Sequence, residues 1–387
     1  MTEKLYDRDA YLTTFTATVL ACEKRGDGYA VILDKTAFFP EGGGQFGDVG
    51  TLDGVAVTDT QIEGDLILHT THAPLELGKT VTGTVDFATR FDRMQSHSAE
   101  HIVSGLVHRL FGLDNVGFHL GNEETTLDFN GVLDRADLDR VEDLANEAIF
   151  KNLPITVAYP TADELAALDY RSKKELTGDV RIVTVEGYDV CACCAPHVAR
   201  TGEIGIIKLL DFIHYKGGVR IRLLAGARAL CDYRLKFREI ATISRACAVP
   251  QEEAAAGVDR LLAELSERKQ AAAALLRENV ALRAAALTPN AAGNILTVIT
   301  SSDPIALRNT ALAAAPRAPQ GAAVVLYGND ADGYRFAIAA EALPLRALAR
   351  TLTADLGGRG GGTDLLIQGV FSAPLTTVTA YFENSLS

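Results

Sequence analysis

Hydrophobic and polar residues follow two different periods in the first part of the chain. Up to about Thr84, short runs alternate between apolar and polar positions, and turns containing glycine and aspartate separate them. This alternation is typical of half-buried strands and predicts a small β-barrel, with its clearest strands over 16–20, 29–33 and 66–70. From Arg90 the apolar residues recur at helical spacing, which predicts a helix that ends at Gly112.

The following segment mixes the two patterns. Helical periodicity predicts a second helix over 136–151 and a short third helix over 162–168. Alternating runs predict strands over 180–185 and 205–210. We therefore expect a mixed α+β domain after the barrel.

Residues 251–287 differ in composition from the rest of the chain. They are rich in alanine, leucine, glutamate and arginine, and they contain no proline. Apolar residues recur in alternating steps of three and four, which predicts a long helix with a coiled-coil seam. Asn279 occupies a seam position, where a polar residue can fix the register. Two interpretations of this helix stay open, namely an exposed linker between domains and a surface that forms a homodimer.

The last part of the chain predicts a separate α/β domain. Strands are expected over 294–300, 322–327 and 334–339, between alanine-rich helices. A glycine run over 357–362, which contains Arg359, predicts a flexible loop. The sequence thus predicts an α+β protein with four segments: a β-barrel with a glycine-rich loop (1–89), an α+β domain (90–245), a helical linker (246–288) and a C-terminal α/β domain (289–387).

Composition and charge exclude some classes of protein. The chain has 387 residues, of which 48% are hydrophobic and 22% charged. No uninterrupted apolar stretch approaches the ~20 residues that cross a bilayer, so we expect no membrane span. The first ten residues lack the apolar core of a secretory signal, and a cytoplasmic protein is expected.

A net charge of −13 argues against nucleic-acid binding through bulk positive charge. Residues 208–238 nevertheless contain eight basic and two acidic side chains. This basic segment is either a phosphate-contacting face or an ordinary solvated surface.

Two pairs of residues predict a metal site. His97 and His101 lie four residues apart on the first predicted helix, so both imidazoles project from one face. Cys193 and His197 have the same separation, and Pro196 between them predicts a loop. Three imidazoles and one thiolate form a tetrahedral donor set that suits Zn²⁺.

The cysteines leave one choice open. Cys191 and Cys194 lie beside Cys193, and any of the three offers a sulfur ligand, although Cys193 has the preferred spacing to His197. The alternative is that the three thiols are inert core residues. The remaining cysteines have no such neighbours and are expected to be structural; they are Cys22, Cys231 and Cys247.

The same histidine pair also fits a different enzyme class. Residues 97–101 match the HxxEH signature of some metallopeptidases, in which Glu100 would act as the general base. Glu164 or Glu175 would then supply a carboxylate ligand. This hypothesis leaves the pair Cys193 and His197 unexplained.

A glycine-rich loop covers residues 38–48, next to two phenylalanines in the predicted barrel. Consecutive glycines let a ligand approach the backbone and can present N–H groups to phosphate or carboxylate oxygens. No Lys-Ser or Lys-Thr follows, so a Walker A nucleotide loop is not expected. A tight turn between strands is the alternative.

Taken in order, these segments resemble one known family. FFPEGGGQFGDVG (38–50), HSAEH (97–101), CCAPHVARTGEIG (193–205) and KGGVRIRLLAGARAL (216–230) look like the editing half of alanyl-tRNA synthetase and its freestanding AlaX-type relatives. GGRGGGTDLLIQG (357–369) is similar to the end of the DHH-associated domain of that synthetase. The resemblance spans nearly the whole chain and includes no aminoacylation domain, so we expect a long-form AlaX-type editing enzyme and not a ligase.

The resemblance implies a function and a set of site residues. A mischarged alanine tRNA, carrying serine or glycine, would lose its amino acid by hydrolysis of the ester. The family's zinc ligands carry over to His97, His101, Cys193 and His197. The pocket for the terminal adenosine and amino acid would be bordered by Gly43, Gly44 and Gln45, with Gln45 among the candidate catalytic residues.

Three positions depart from the family pattern. Glu100 and Pro196 each replace a threonine that precedes a histidine ligand, and His119 stands where a glutamine is common. Glu100 is expected to polarise water or bind the substrate ammonium, unless it is a solvated helix residue, and His119 to hydrogen-bond the ester or the serine hydroxyl.

The expected macromolecular partner is tRNA. Its phosphates would be contacted by Arg220 and Arg222 in the basic segment and by Arg359 in the glycine run. A homodimer through the helical linker and C-terminal domain is the second expected assembly. The main alternative function is a non-catalytic, zinc-containing protein that binds tRNA or another partner.

Overall fold

A computed structural model describes residues 2–121, 124–172 and 180–384 of the chain. It divides into two compact units, and the division falls between Ala241 and Thr242. The mixed α+β class predicted from the sequence is confirmed. The finer division into four segments stays a prediction.

The first unit begins with a closed barrel of six antiparallel strands in the order β2-β3-β7-β6-β5-β8. Alternate residues of β2, namely Phe15, Ala17 and Val19, are buried in its core because successive side chains point to opposite faces of a strand. A short parallel pair, β1 with β4, lies outside this barrel. The strands are β1 (Glu3–Lys4), β2 (Thr14–Arg25), β3 (Gly28–Leu33), β4 (Lys35–Thr36), β5 (Gly50–Leu52), β6 (Val55–Glu63), β7 (Leu66–Thr71) and β8 (Thr80–Val85).

Helix α1 (Phe87–Phe111) follows the barrel; it begins three residues before the predicted start at Arg90, and its predicted end at Gly112 is confirmed. The side chain of Asp86 accepts a hydrogen bond from the backbone N–H of Thr89 and caps the first turn. Gly112 ends the helix with a φ of 68°, a left-handed conformation that glycine adopts without strain. Sixteen of its residues are buried, so α1 is the central helix of this unit.

A four-stranded antiparallel sheet, β14-β15-β10-β9, packs with α1 and the second helix around the largest hydrophobic core. A separate three-stranded sheet, β11-β12-β13, carries the cysteine-rich segment at its end. The predicted second and third helices are confirmed. These elements are β9 (Asn115–Leu120), β10 (Thr125–Phe129), α2 (Arg135–Lys151), β11 (Ile155–Ala158), α3 (Ala162–Ala167), β12 (Ile182–Val185), β13 (Asp189–Ala192), β14 (Ile207–Tyr215) and β15 (Gly218–Ala225).

Helix α4 (Gly226–Cys247), which contains the junction between the two units, is not among the predicted helices. The long helix α5 (Ala254–Ala286) confirms the predicted helix. Leucines of its predicted seam are exposed, among them Leu261, Leu265, Leu275 and Leu282. Whether this seam pairs with a second copy stays a prediction.

The second unit contains a five-stranded sheet in the order β16-β17-β18-β20-β19, with apolar residues buried on both faces. β16 and β17 are parallel and the other pairs are antiparallel. The predicted strands of this domain are confirmed. The elements are β16 (Ile295–Val298), α6 (Pro304–Ala314), β17 (Ala323–Asn329), β18 (Gly333–Ala339), α7 (Leu345–Asp355), β19 (Gly358–Gly362), β20 (Leu366–Phe371) and α8 (Leu375–Phe382).

The prediction of a flexible loop over 357–362 is wrong, because Gly358–Gly362 forms the edge strand β19. Gly360 and Gly369 lie against the ring of Phe336, which leaves no room for a side chain at either position. A β-carbon on Gly360 would lie 2.6 Å from its Cζ atom, and one on Gly369 would lie 2.7 Å from its Cε1 atom. The same ring stacks on Phe371 with centroids 4.0 Å apart. Gly360 and Gly369 therefore make room for an aromatic pair, and the glycine run does not mark a loop.

Within the described ranges, no helix combines the length and the apolar character that a membrane-spanning segment needs.

Candidate metal centre

One face of α1 builds the centre. Arg90, Arg93, His97 and His101 recur at steps of three and four residues, so their side chains lie along one stripe of the helix. All four are buried, with at most 9% of each residue exposed. The helix thus carries two arginines at one end of the stripe and two imidazoles at the other.

The predicted ligands meet in space. The ligand atoms of His97, His101, Cys193 and His197 all lie within 4.8 Å of one another. Sγ of Cys193 is 3.5 Å from Nε2 of His97 and 3.4 Å from Nε2 of His197. Residues almost a hundred positions apart in the chain therefore form one compact group that can hold a metal ion.

The outward nitrogen of each imidazole has its own partner. Nδ1 of His97 is 3.0 Å from the side-chain oxygen of Gln45. Nδ1 of His101 is 2.8 Å from Oδ2 of Asp189. Nδ1 of His197 is 3.2 Å from Oγ of Ser98. Amide and carboxylate oxygens only accept hydrogen bonds, so Nδ1 of His97 and of His101 carries the proton. Their Nε2 atoms then present lone pairs to the centre, as metal-binding histidines require.

The pKa shifts favour metal-binding forms of two ligands. Burial alone would raise the pKa of Cys193, but His97 and His197 lower it well below the usual value, so a thiolate forms readily. Burial lowers the pKa of His197 to about 3, which keeps this imidazole neutral. Burial would also lower the pKa of His101, but the hydrogen bond to Asp189 raises it well above its ordinary value, so a metal ion must displace a proton from Nε2 of His101.

The glycine-rich loop (residues 38–48) is tied to the stripe on α1. The guanidinium of Arg90 pairs with Asp48 and donates to the carbonyl oxygen of Ala37, while Nη1 of Arg93 donates to the carbonyl oxygen of Gly47 over 2.6 Å. A β-carbon on Gly43 would lie 3.8 Å from Cε1 of His97. The loop therefore runs directly over one of the ligands.

Glu100 is buried, with only 2% of the residue exposed, so the interpretation as a solvated helix residue is wrong. Its Oε1 accepts hydrogen bonds from Ser104 over 2.8 Å and from Asn115 over 2.7 Å. Its Oε2 lies 3.8 Å from Nε2 of His101, the nitrogen that faces the centre. A carboxylate thus stands next to the four ligands.

Comparisons with known proteins show which families this chain resembles. Residues 180–222 match the family described as threonyl and alanyl tRNA synthetase second additional domain, and residues 11–89 match class II (A) tRNA synthetases. The alanyl-tRNA editing protein AlaX-L of Pyrococcus horikoshii is 29% identical over 95% of this chain and 94% of its own length. The predicted resemblance to AlaX-type alanyl-tRNA editing proteins is confirmed.

Two longer relatives match as well. The alanyl-tRNA editing protein Aarsd1 of Mus musculus is 32% identical over 58% of this chain, and the alanine–tRNA ligase of Pyrobaculum calidifontis is 30% identical over 96% of it. The chain covers 59% of the mouse protein and 42% of the ligase, less than two thirds of either.

The structure does not bring His119 to the predicted ligands. On β9, Phe118 packs against His97 with ring centroids 4.7 Å apart, and His119 points to the opposite face of the strand. His119 is exposed, and its ring is nearly perpendicular to that of Phe46, with the ring centroids 5.8 Å apart. Any contact between His119 and a substrate would therefore form outside the ligand group.

The basic segment is largely neutralised. Arg220 forms two hydrogen bonds to Asp128, of 2.6 and 2.7 Å, and Arg222 pairs with both Asp211 and Glu124. Further basic residues of the segment also have acidic partners: Lys208 with Glu142, Arg228 with Asp92, and Lys236 with Asp232. Arg359 lies in the second unit, on the exposed strand β19.

Local sequence patterns do not mark the residues that support the ligands and Glu100. Asp189, Ser98 and Asn115 have no spacing that marks them, although Ser98 lies inside the motif HSAEH. Within the described residues, His101, Asp189 and Cys191 form a second compact group of metal-ligand types. Arg171 already pairs with Asp189 there, so a cation at this point would meet a guanidinium.

One of the two carboxylates nominated by the peptidase hypothesis has a different role in the structure. Glu164 accepts hydrogen bonds from Thr161 and completes the capping box of α3. Glu175, the other candidate, lies outside the described residues.

Proposed function

We propose that this chain is a zinc-dependent aminoacyl-tRNA deacylase that hydrolyses the ester of mischarged alanine tRNA. The observation that carries this proposal is the convergence of three histidines and a cysteine beneath the glycine-rich loop. The names of the relatives, which describe alanyl-tRNA editing proteins, support the same reaction.

The donor set fits Zn²⁺, which favours a tetrahedron of nitrogen and sulfur ligands. Zinc, when bound, supplies a Lewis-acidic centre for the aminoacyl ester. With four protein ligands, we propose that its role is to orient the substrate more than to generate hydroxide.

The surrounding residues supply hydrogen bonds and charge. We propose that Glu100 orients the attacking water or the substrate ammonium, since Ser104 and Asn115 fix its carboxylate beside His101. Gly43 and Gly44 are exposed, and we propose that their backbone contacts the terminal nucleotide; the missing side chain of Gly44 also makes room for Phe118.

Contacts with tRNA belong to the same proposal. Arg359 is the strongest candidate for a phosphate contact because its strand is exposed. Arg220 and Arg222 would have to exchange their carboxylate partners for phosphate, so we expect smaller contributions from them. A homodimer through α5 and the C-terminal unit stays a separate proposal, which the exposed leucines of α5 support.

The first test measures release of labelled amino acid from alanine tRNA charged with serine, glycine or alanine. Metal-replete protein is compared with a Cys193→Ala, His197→Ala double variant. Rapid loss of serine or glycine with alanine spared, abolished in the double variant, is the expected result. Normal zinc content and tRNA binding without release of any amino acid would favour the non-catalytic alternative.

A further inference from the structure

We propose that Asp189 is a positioning residue that holds His101 in its metal-binding orientation, and that Arg171 fixes Asp189 for this task. The proposal rests on the metal centre of the proposed function. It concerns residues that none of the comparisons assigns.

The contacts form a continuous chain. Oδ2 of Asp189 lies 2.8 Å from Nδ1 of His101. On its other side, Asp189 accepts hydrogen bonds from Nε of Arg171 over 2.7 Å and from Nη2 over 2.9 Å. Its side chain is 2% exposed and that of Arg171 is 15% exposed. The carboxylate is therefore held at both oxygens, and the ring of His101 has one preferred orientation.

Gly105 permits this approach. It lies on α1, one helical turn beyond His101, where β13 comes close to the helix. A β-carbon at this position would lie 2.2 Å from the carbonyl oxygen of Tyr188 and 2.9 Å from Cβ of Asp189. Any larger residue would push the start of β13, and with it Asp189, away from His101.

Asp189 differs from the partners of the other two imidazoles. His97 and His197 contact Gln45 and Ser98, which are neutral, whereas Asp189 brings a carboxylate. A carboxylate that accepts from Nδ1 fixes the tautomer and makes Nε2 a better donor to a metal. We therefore expect Asp189 to contribute more to metal affinity than either neutral partner does.

The test compares zinc affinity in Asp189→Asn and wild-type protein by competition with a chromophoric chelator. Loss of such a partner commonly weakens metal binding by about 10–100-fold, and a loss in this range is expected. The absorption spectrum of the Co²⁺-substituted protein should also change, because His101 shifts relative to the ion.

Asp128→Asn is the matched control. Asp128 forms the same type of two-bond pair with Arg220, but none of its described partners is a histidine of the centre. This variant should keep the wild-type zinc affinity and Co²⁺ spectrum.

Arg171→Lys provides a second variant in case Asp189→Asn folds poorly. It keeps the positive charge but cannot form the two-bond fork, so zinc affinity should fall by a smaller factor. Folded Asp189→Asn and Arg171→Lys proteins with wild-type affinity and Co²⁺ spectrum would overturn the proposal, and so would a wild type that binds no zinc. A wild type that binds zinc without deacylating tRNA would overturn the proposed function alone.

Discussion

The side-chain oxygen of Gln45 accepts a hydrogen bond from Nδ1 of His97 over 3.0 Å. This contact joins the glycine-rich loop to a ligand of the metal centre. Gln45 is fully buried, and in the part of the chain that the structure describes its Nε2 has no hydrogen-bond partner. A buried donor of this kind needs an acceptor, which a water molecule or a substrate oxygen can provide. We therefore propose that Gln45 uses its oxygen to hold His97 and its N–H donor to meet the substrate.

The variant Gln45→Glu distinguishes the role of the side-chain oxygen from that of the N–H donor. Glutamate keeps an oxygen within reach of His97 but removes the N–H donor. If the donor meets charge that develops on the ester, deacylation should slow by about 10²-fold, while zinc affinity is kept or strengthened because a carboxylate then accepts from Nδ1 of His97. Single-turnover release of serine from alanine tRNA and zinc competition measure the two effects.

Gln45→Ala is the companion variant, because it removes both groups. It should weaken zinc binding and slow deacylation together. Wild-type turnover in Gln45→Glu would show that the Nε2 donor has no part in the reaction.

The sequence predicts the parts of the centre that local patterns determine. The four-residue spacing of His97 and His101 fixes them on one helix face, and the period change at Arg90 marks that helix. The pair Cys193 and His197 is recognisable because cysteine and histidine are rare and chemically specific. These predictions needed no knowledge of which strands pair.

Contacts between distant segments could not be predicted from local sequence patterns. The basic segment was expected to be either a phosphate-contacting face or a solvated surface. In the structure Arg220 pairs with Asp128, which lies on the neighbouring strand β10. Asp189 lies 88 residues from His101, and only the pairing of β12 with β13 and the close approach at Gly105 bring them together. Such neighbours depend on topology, which periodicity does not specify.

His69 predicts a pH dependence of stability. It is fully buried in the barrel, where Nδ1 donates to the carbonyl oxygen of Val31 over 3.0 Å and Nε2 lies 2.8 Å from Oγ1 of Thr36. Burial lowers its pKa from 6.5 to about 4. Between about pH 4 and pH 6.5, His69 is therefore protonated in the unfolded chain and neutral in the folded chain. The contribution of His69 to the free energy of unfolding is fully present above the pKa of the unfolded chain. It decreases as the pH falls, by about 3 kcal/mol at about pH 4.

Urea unfolding of wild type and His69→Gln at about pH 7 and about pH 4 measures this contribution. Other acidic groups affect both proteins equally, so the difference between the two pH dependences isolates His69. The wild type should lose about 3 kcal/mol more than the variant on acidification. Parallel pH dependences would mean that His69 takes up its proton in the folded state at its ordinary pKa.

Gly44 and Gly54 share a φ of +82° but differ in their surroundings, which allows a controlled test of the glycine-rich loop. A β-carbon on Gly54 meets no heavy atom within 4 Å, whereas one on Gly44 would lie 2.5 Å from Cδ1 of Phe118 and 2.9 Å from its carbonyl oxygen. Gly54→Ala should therefore lose only the roughly 1–2 kcal/mol of left-handed backbone strain.

Gly44→Ala carries the same strain and also displaces Phe118, whose ring packs against His97. We expect an additional loss of about 1–3 kcal/mol in the free energy of unfolding, together with weaker zinc binding, because the displaced ring disturbs a ligand. Urea unfolding and chelator competition on both alanine variants give the two quantities. Equal losses in the two variants would show that the loop yields to the added methyl group, and that Gly44 is needed only for its backbone conformation.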